Sequence, residues 1–137
     1  MTVNKIKIFK NKIIKNKKGN LVKFVSKKNI FFNKFGEIYF NHIKFKKTKG
    51  WNKHKKNNCL IQCIYGKIKF HLIDSEGNER KIVLKSNSGK ILKIPPKVWF
   101  SFQSLSNNSI IANMIENCHS DKEVTKTTKV LKYEIKP

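Results

Sequence analysis

The sequence predicts an all-β fold, either a sandwich or a small barrel. Short apolar segments follow one another along most of the chain, and glycine, asparagine, serine and proline separate them. Many of these segments alternate apolar with polar residues, and none continues with the longer period of an amphipathic helix. Short strands at regular spacing with frequent turn signals are typical of sandwiches and barrels.

The individual strands are predicted from side-chain alternation and from β-branched and aromatic content. Turn signals such as Gly77-Asn78 and Pro95-Pro96 delimit them. In chain order, the predicted strands are residues 5–9, 21–25, 37–45, 59–65, 67–73, 81–84, 91–94, 99–105 and 109–115.

Two segments outside these strands have a structural prediction of their own. Residues 29–35 are aromatic and apolar, and we expect them to pack over the end of the barrel. The tail after Cys118 is charged and weakly patterned. Its last part, residues 120–137, forms either a short helix or an extended arm.

Length and composition place all the strands in a single domain covering residues 1–137. No window reaches the roughly 18 apolar residues that a membrane-spanning helix needs. The N-terminus has no apolar secretory segment, so we expect a cytoplasmic protein with no membrane partner. Cys59, Cys63 and Cys118 form no C-x-x-C pair, which suits reduced thiols, and we expect the first two to be buried.

The formal net charge of +23 has two interpretations. A basic surface attracts nucleic acid. However, Arg80 is the only arginine, whereas nucleic-acid readers depend on arginine for bidentate contacts. Lysine, asparagine, isoleucine and phenylalanine are abundant and share A/T-rich codons, so genome composition also explains the charge. We therefore expect no nucleic-acid partner, although the same field would attract a phosphate-bearing small molecule.

His54 is the first candidate for catalysis. It follows Gly50-Trp51 and precedes the apolar segment 59–65, so we expect its side chain to point into the mouth of the barrel. Histidine titrates near neutral pH, and there it could take a proton from a carbon beside a ketone. A structural or merely exposed histidine is the alternative.

Several motifs follow one another between Gly19 and Val124. Two of them are Gly50-x-Asn52-x-His54 and, after Gly66, Gly89-x5-Pro95; the others are Gly36-Glu37-Ile38-Tyr39-Phe40, Lys49-Gly50-Trp51-x-Lys53-His54-Lys55-Lys56, Lys93-Ile94-Pro95-Pro96-x-Val98-Trp99 and Ala112-Asn113. Together they resemble the dTDP-4-dehydrorhamnose 3,5-epimerase family of cupins, in its shorter form, and the related dTDP-sugar 3,4-ketoisomerases.

The resemblance implies a fold, an assembly and a reaction. The fold is a double-stranded β-helix, or jelly roll, and the assembly is a homodimer that exchanges N-terminal strands. The reaction moves a proton beside the C4 ketone of a nucleotide sugar. No metal or other cofactor is implied, because the ketone acidifies the proton and fixed polar groups stabilise the enolate.

The sequence departs from the family at the expected metal and base positions. Metal-binding cupins carry three histidines and a glutamate where this chain has Asn52, His54, Cys59 and Phe100, so a metal site is not expected. The usual catalytic base falls on Asn52, and asparagine cannot act as a general base. Either His54 has taken over proton transfer or the chain has lost the reaction.

Other candidate site residues are assigned by the resemblance or by alternation. Tyr39 would be the acid, and Asn41, on the same strand face, would bind the sugar; Tyr39 in the core is an equal alternative. The remaining candidates for substrate contact are Lys49, Trp51, Asn52, Lys67, Lys69, His71 and Trp99. Barrel packing explains the tryptophans equally well, and solvent exposure explains the lysines and His71. A histidine–carboxylate pair could also form at His119-Ser120-Asp121.

Three functional hypotheses follow from these observations. The first is a nucleotide-sugar epimerase or isomerase acting on a dTDP-4-keto-6-deoxyhexose for surface-polysaccharide synthesis. The second, suggested by Asn52, is a family member that binds a sugar nucleotide or carbohydrate without catalysis. The third, suggested by charge alone, is a basic structural or nucleic-acid-binding protein.

Overall fold

Strands dominate residues 5–135, the part of the chain that the computed structural model describes. In this range the strands are β1 (Lys7–Lys10), β2 (Glu37–Lys44), β3 (Thr48–His54), β4 (Cys59–Tyr65), β5 (Lys67–Ile73), β6 (Glu79–Lys85), β7 (Lys90–Ile94), β8 (Trp99–Ser104), β9 (Asn108–Ile115), β10 (Val124–Lys126), β11 (Lys129–Val130) and β12 (Tyr133–Glu134). None of the described segments is a helix that is long and apolar enough to cross a bilayer.

Two five-stranded antiparallel sheets contain most of these strands. The first sheet has the order β1-β7-β4-β9-β2, and the second has the order β10-β3-β8-β5-β6. From β2 to β9 the chain alternates between the two sheets at every step except the β5–β6 hairpin, which is the connectivity of a jelly roll. The predicted all-β double-stranded β-helix is therefore confirmed.

The core lies between the inner faces of the two sheets. On β5, Ile68, Phe70 and Leu72 are fully buried and alternate with outward-facing polar residues, as the period of two requires. They pack in one cluster with side chains of the opposite sheet such as Ile61 and Ile111. Burying each large apolar side chain contributes roughly 1.5–3 kcal/mol, and this cluster fixes the distance between the sheets.

Two predictions for the N-terminal part of the chain are wrong. Residues 21–25 do not form a strand; Leu21 makes an isolated bridge with Ile14, and the carbonyls of Lys23 and Phe24 accept hydrogen bonds from side chains instead of a partner strand. Residues 29–35 do not cover the barrel end. Phe31 packs on the outer face of the first sheet, in a cluster with Leu60, Ile91 and Met114.

Strand β3 was not predicted as a strand, although it carries the central motif. Its lysines and Gly50 interrupt any apolar alternation, so the sequence shows no strand pattern there. Gly50 has φ +130°, and a Cβ atom at this position would lie 2.8 Å from Ser101 Cα. β3 can therefore approach β8 closely because residue 50 has no side chain.

The described part of the tail, up to residue 135, forms an extended arm and contains no helix; residues 136–137 of the predicted arm lie outside the described residues. β10 pairs antiparallel with β3, which places Val124 opposite His54 and Lys126 opposite Asn52. β11 and β12 then form a separate two-stranded hairpin. The arm thus becomes the edge of the second sheet, next to the central motif.

The three cysteines have different environments. Cys59 and Cys63 are buried, as predicted, whereas Cys118 is exposed. Burial raises the pKa of the Cys59 thiol to about 12 and that of the Cys63 thiol to about 11.

Candidate active site

A cavity of about 120 Å³ opens between the two sheets at the end where β3 and β10 meet. Apolar side chains from both sheets form its floor, and histidine, tyrosine and amide side chains form its walls. Its lining residues are Tyr39, Asn41, Asn52, His54, Ile61, Phe100, Phe102, Ile111, Asn113, His119, Val124 and Lys126.

A larger open groove of about 1160 Å³ lies beside the N-terminal segment. It is lined by lysines, isoleucines and small polar residues such as Lys10, Ile14, Asn20 and Lys90, and by no histidine, tyrosine or carboxylate. The groups that can move a proton are gathered in the smaller cavity, so we take that cavity as the candidate site.

His54 is buried in the cavity wall, with 4% of its surface exposed. Its Nδ1 lies 3.1 Å from Glu123 Oε1, and its ring stacks on Phe100 at an interplanar angle of 8°. Burial lowers the pKa of His54, and the nearby Glu123 carboxylate offsets part of this effect. The imidazole is therefore neutral at pH 7, and a neutral imidazole can accept a proton.

Glu123 orients this imidazole. Its Oε1 also accepts the Asn57 amide at 2.9 Å, and its Oε2 accepts the Lys55 amide at 3.2 Å. Burial alone would raise the pKa of the carboxyl, but the Asn57 amide and His54 hold it below its ordinary value. With Nδ1 bonded to a carboxylate, Nε2 is the ring nitrogen left to face the cavity.

Tyr39 faces the cavity from the opposite sheet. Its hydroxyl accepts a hydrogen bond from Asn113 Nδ2 at 3.1 Å, so its own proton is free to be donated to a ligand. Burial is the main cause that raises the pKa of Tyr39 well above its ordinary value. The phenol is therefore protonated at neutral pH and can act as a hydrogen-bond donor.

Polar and cationic groups surround the mouth of the cavity. Lys49 Nζ donates to Asn41 Oδ1 at 2.8 Å, and Lys49 shares a sheet face with Phe102, its direct cross-strand partner. Asn52 and Lys126 are opposite each other on β3 and β10, and both line the cavity. Two ammonium groups and two amides thus stand where a polar ligand would enter.

Comparison with known families gives a decisive match. The model of the family described as FdtA: WxcM-like, C-terminal, matches residues 4–133. The chain belongs to this family. Comparison with curated proteins gives no match.

The jelly roll of this WxcM-like protein is shared with solved structures of sugar-nucleotide enzymes. A dTDP sugar isomerase from Desulfovibrio desulfuricans G20 superposes with a TM-score of 0.84 at 23% identity, covering 89% of this chain and 83% of that one. A histidine-to-asparagine variant of the 3,4-ketoisomerase QdtA from Thermoanaerobacterium thermosaccharolyticum, in complex with TDP-4-keto-6-deoxyglucose, gives 0.78 at 24% identity, covering 89% and 87%.

A 3,5-epimerase also has this fold. The dTDP-4-dehydrorhamnose 3,5-epimerase from Bacillus anthracis, with TDP and pyrophosphate bound, has a TM-score of 0.83 at 13% identity and covers 100% of this chain and 89% of that one. The resemblance to cupins of this kind, first indicated by the motifs, is confirmed.

The WxcM-like chain does not bring all the predicted site residues together. Tyr39, Asn41, Asn52 and His54 line one cavity, and Lys49 lies at its rim. The other predicted substrate contacts lie on strand faces that point away from it, and their predicted role is not supported by proximity to the cavity; they are Trp51, Lys67, Lys69, His71 and Trp99.

Several cavity residues were missed by the sequence interpretation. Glu123 gave no signal, because nothing in the charged tail shows which carboxylate returns to β3. Asn113 was noted as part of a motif without a role. His119 was not missed: the sequence suggested that it pairs with a carboxylate, its Nε2 lies 3.6 Å from Asp121 Oδ1, and it lines the mouth with its ring centroid 6.5 Å from that of Tyr39. Among residues 5–135, no group of three or more His, Cys, Asp and Glu side chains is arranged to hold a metal ion.

Proposed function

We propose that the protein is a nucleotide-sugar isomerase or epimerase that acts on a dTDP-4-keto-6-deoxyhexose. The observation that carries this proposal is the His54–Glu123 pair, which faces Tyr39 across a cavity between the two sheets. We place this reaction in the cytoplasm, as a step of surface-polysaccharide synthesis.

In the proposed reaction, His54 Nε2 removes the proton from a carbon next to the C4 ketone. Glu123 stabilises the imidazolium that forms. The electrons of the broken C–H bond move into the ketone, and the Tyr39 hydroxyl hydrogen-bonds the resulting enolate oxygen. For epimerisation, the Tyr39 hydroxyl, on the side of the cavity opposite His54, donates its proton to the other face of the same carbon, and the proton held by His54 then passes through solvent to the tyrosinate. If the proton held by His54 returns instead to the former carbonyl carbon, with a hydroxyl proton transferred between the oxygens, the ketone moves by one position.

The proposed substrate class is supported by relatives and by charge. The QdtA variant binds TDP-4-keto-6-deoxyglucose, and the Bacillus anthracis epimerase binds TDP. In this chain, Lys49 and Lys126 stand at the cavity mouth, where ammonium groups would attract a diphosphate.

The proposal is tested by hydrogen exchange into the substrate. Incubation of the protein with TDP-4-keto-6-deoxyglucose in deuterated water should place deuterium on a ring carbon beside the ketone, detected by NMR. Replacing His54→Asn should slow this exchange by about 10²–10⁴-fold, because the base is removed. His42→Asn is the matched control, since His42 is exposed on the outer face of β2.

Exchange that survives His54→Asn while the fold is intact would show that another group is the base. Absence of exchange with wild-type protein would reject the enzymatic proposal for this substrate.

A second candidate function, binding without catalysis, is favoured by Asn52. An amide stands where the resemblance implies the base, and it can hydrogen-bond a sugar but cannot take its proton. This function predicts thermal stabilisation by the nucleotide sugar and no deuterium incorporation. Stabilisation together with incorporation would favour the enzyme.

A further inference from the structure

The C-terminal arm crosses the edge of the second sheet, and its two ends lie in different environments. We call residues 120–135 the strap. Its first part supplies Glu123, Val124 and Lys126 to the candidate site, and its last part lies on the outer face of the sheet. One short segment therefore connects the cavity to the outer face of the second sheet.

The inner end of the strap is attached through backbone pairing and through the Glu123 carboxylate, which contacts His54 and accepts the Asn57 and Lys55 amides. The three residues of β10 pair with β3, and the Lys55 amide donates to the Glu123 carbonyl at 2.9 Å. Further along, the amide of Trp51 donates to the Thr127 carbonyl at 2.8 Å. A three-residue edge strand contributes little by itself, so the position of Glu123 also depends on how the rest of the strap is held.

The outer end of the strap is attached through side chains. The Tyr133 hydroxyl donates to Glu79 Oε1 at 3.2 Å, and Glu79 Oε2 lies 2.8 Å from His71 Nε2. The Tyr133 ring meets the His71 ring edge-on, with centroids 4.4 Å apart. Val130 is buried against Trp51 in the same cluster.

The residues that receive the strap belong to strands of the candidate site. Trp51 is on β3, between the motif glycine and the cavity residue Asn52, and its ring also contacts His71, with centroids 5.1 Å apart. Trp51 thus contacts the strap twice, through its backbone at Thr127 and through its ring at Tyr133, whose centroid is 6.5 Å away. Trp51 therefore connects Tyr133 to the residue that directly follows β10.

We propose that Tyr133, held by Glu79 and His71 on the outer face of the sheet, is a positioning residue that keeps Glu123 against His54. The expected effect of Tyr133 on the reaction rate rests on the proposed function. The expected effect of Tyr133 on the position of Glu123 does not. This role also explains why His71 and Trp51 are placed where they are, away from the cavity that they were predicted to line.

The positioning role of Tyr133 predicts a change in the pKa of His54, which a general loss of stability would not produce. In the intact protein, burial lowers the pKa of His54 and the Glu123 carboxylate partly offsets this, while His119 lowers it further. Release of the strap exposes the ring to water, and since burial is the largest cause, the pKa of His54 should rise towards its ordinary value. Glu123→Gln keeps the ring buried and removes the charge, so the same pKa should fall.

The test is an NMR titration of His54 in full-length protein with isotope-labelled histidine. Tyr133→Ala should raise the pKa of His54 and speed hydrogen exchange of the Trp51 and Lys55 amides by about tenfold or more, since both donate to the strap. Tyr133→Phe, which keeps the ring and loses the bond to Glu79, should give a smaller change in the same direction. Tyr65→Ala, at an exposed aromatic residue elsewhere, is the control and should leave both readouts unchanged.

An unchanged His54 titration in Tyr133→Ala and Tyr133→Phe would overturn the proposal. If Tyr133→Ala does not fold, the Tyr133→Phe result decides alone. Both readouts are measured without substrate, so a failure of the proposed function leaves them interpretable. If the reaction is observed, kcat/KM can be measured as a function of pH. The acid limb of this pH profile should move to higher pH in Tyr133→Ala and to lower pH in Glu123→Gln.

Discussion

The chemistry of the candidate site depends on pairs of side chains that the chain brings from distant positions. His54 and Glu123 are 69 residues apart, and Tyr39 and Asn113 are 74 apart. In each pair, one member sets the protonation or hydrogen-bonding state of the other. Each pair leads to a prediction.

Replacing Glu123→Gln should slow the proposed reaction. It should also move the acid limb of the pH–rate profile to lower pH. The carboxylate raises the pKa of His54 against the effect of burial, so without it the imidazole becomes a weaker base that protonates only at lower pH. We expect about a tenfold or larger loss of kcat on the plateau. An acid limb that moves to higher pH, or does not move, would contradict the assigned roles. Glu76→Gln, at an exposed glutamate in the turn between β5 and β6, is the control.

Replacing Tyr39→Phe should reduce both stability and activity. Asn113 Nδ2 would lose its acceptor, and Asn113 Oδ1 is already buried without a partner among the described residues. An unsatisfied buried amide costs about 1–3 kcal/mol, which urea unfolding measures.

The double variant Tyr39→Phe/Asn113→Leu separates the two effects. Removing both polar partners should restore much of the stability, whereas the reaction should stay slow because the donor to the enolate is missing. Full activity in this variant would show that Tyr39 has no part in the reaction.

At the residue scale, the sequence predicted the members of the site that belong to motifs. His54, Tyr39, Asn41 and Asn52 were placed in the cavity because the alternation along β2 and the motif on β3 indicate which side chains share a face. Glu123 could not be found in this way. Its position depends on the pairing of β10 with β3, and backbone pairing leaves no pattern in so short a segment.

At the element scale, β3 shows how a strand can form without a strand-like sequence. It lies between β8 and β10, and its hydrogen bonds to both neighbours compensate for its lysines and glycine. Strand β5 was predicted with its observed bounds because burial of its inner face imposes alternation, and β4 because its apolar run is buried on both faces from Cys59 to Cys63. Residues 21–25 have a similar apolar content, but apart from the bridge between Leu21 and Ile14 they pair with no strand in the described part of the chain.

Replacing Gly50→Ala should destabilise the fold more than Gly19→Ala. Gly19 has φ +139° and Gly50 has φ +130°, so alanine is strained by the backbone conformation at both positions. At Gly19 a Cβ atom meets nothing within 4 Å, whereas at Gly50 it would lie 2.8 Å from Ser101 Cα. We expect an additional cost of about 1–3 kcal/mol for Gly50→Ala in urea unfolding. Equal costs would show that β3 and β8 can separate freely.

At the scale of the whole molecule, the net charge of +23 should affect ligand binding. A field of this size attracts a nucleoside diphosphate and is screened by salt. The dissociation constant of dTDP, measured by calorimetry, should therefore rise with salt concentration. Lys49→Gln should reduce this dependence more than Lys85→Gln, which lies on β6 away from the cavity. The same salt dependence in both variants would contradict a role for Lys49 at the mouth.

The overall architecture was the most predictable property of the chain. Turn residues between short alternating segments restrict it to two packed sheets, and the motifs select the jelly roll among such folds. The homodimer implied by the resemblance stays a prediction. In the structure, β1 pairs with β7 of its own chain at the sheet edge.

Because Cys118 is exposed and the other two cysteines are buried, Cys118 can be labelled selectively by a thiol reagent. A maleimide dye would react at Cys118, since the other two thiols are enclosed in the core and strongly resist ionisation. Cys118 immediately precedes His119 in the cavity wall, so an attached fluorophore would sit at the entrance. Its emission would then report the arrival of a ligand in real time, without any engineered cysteine.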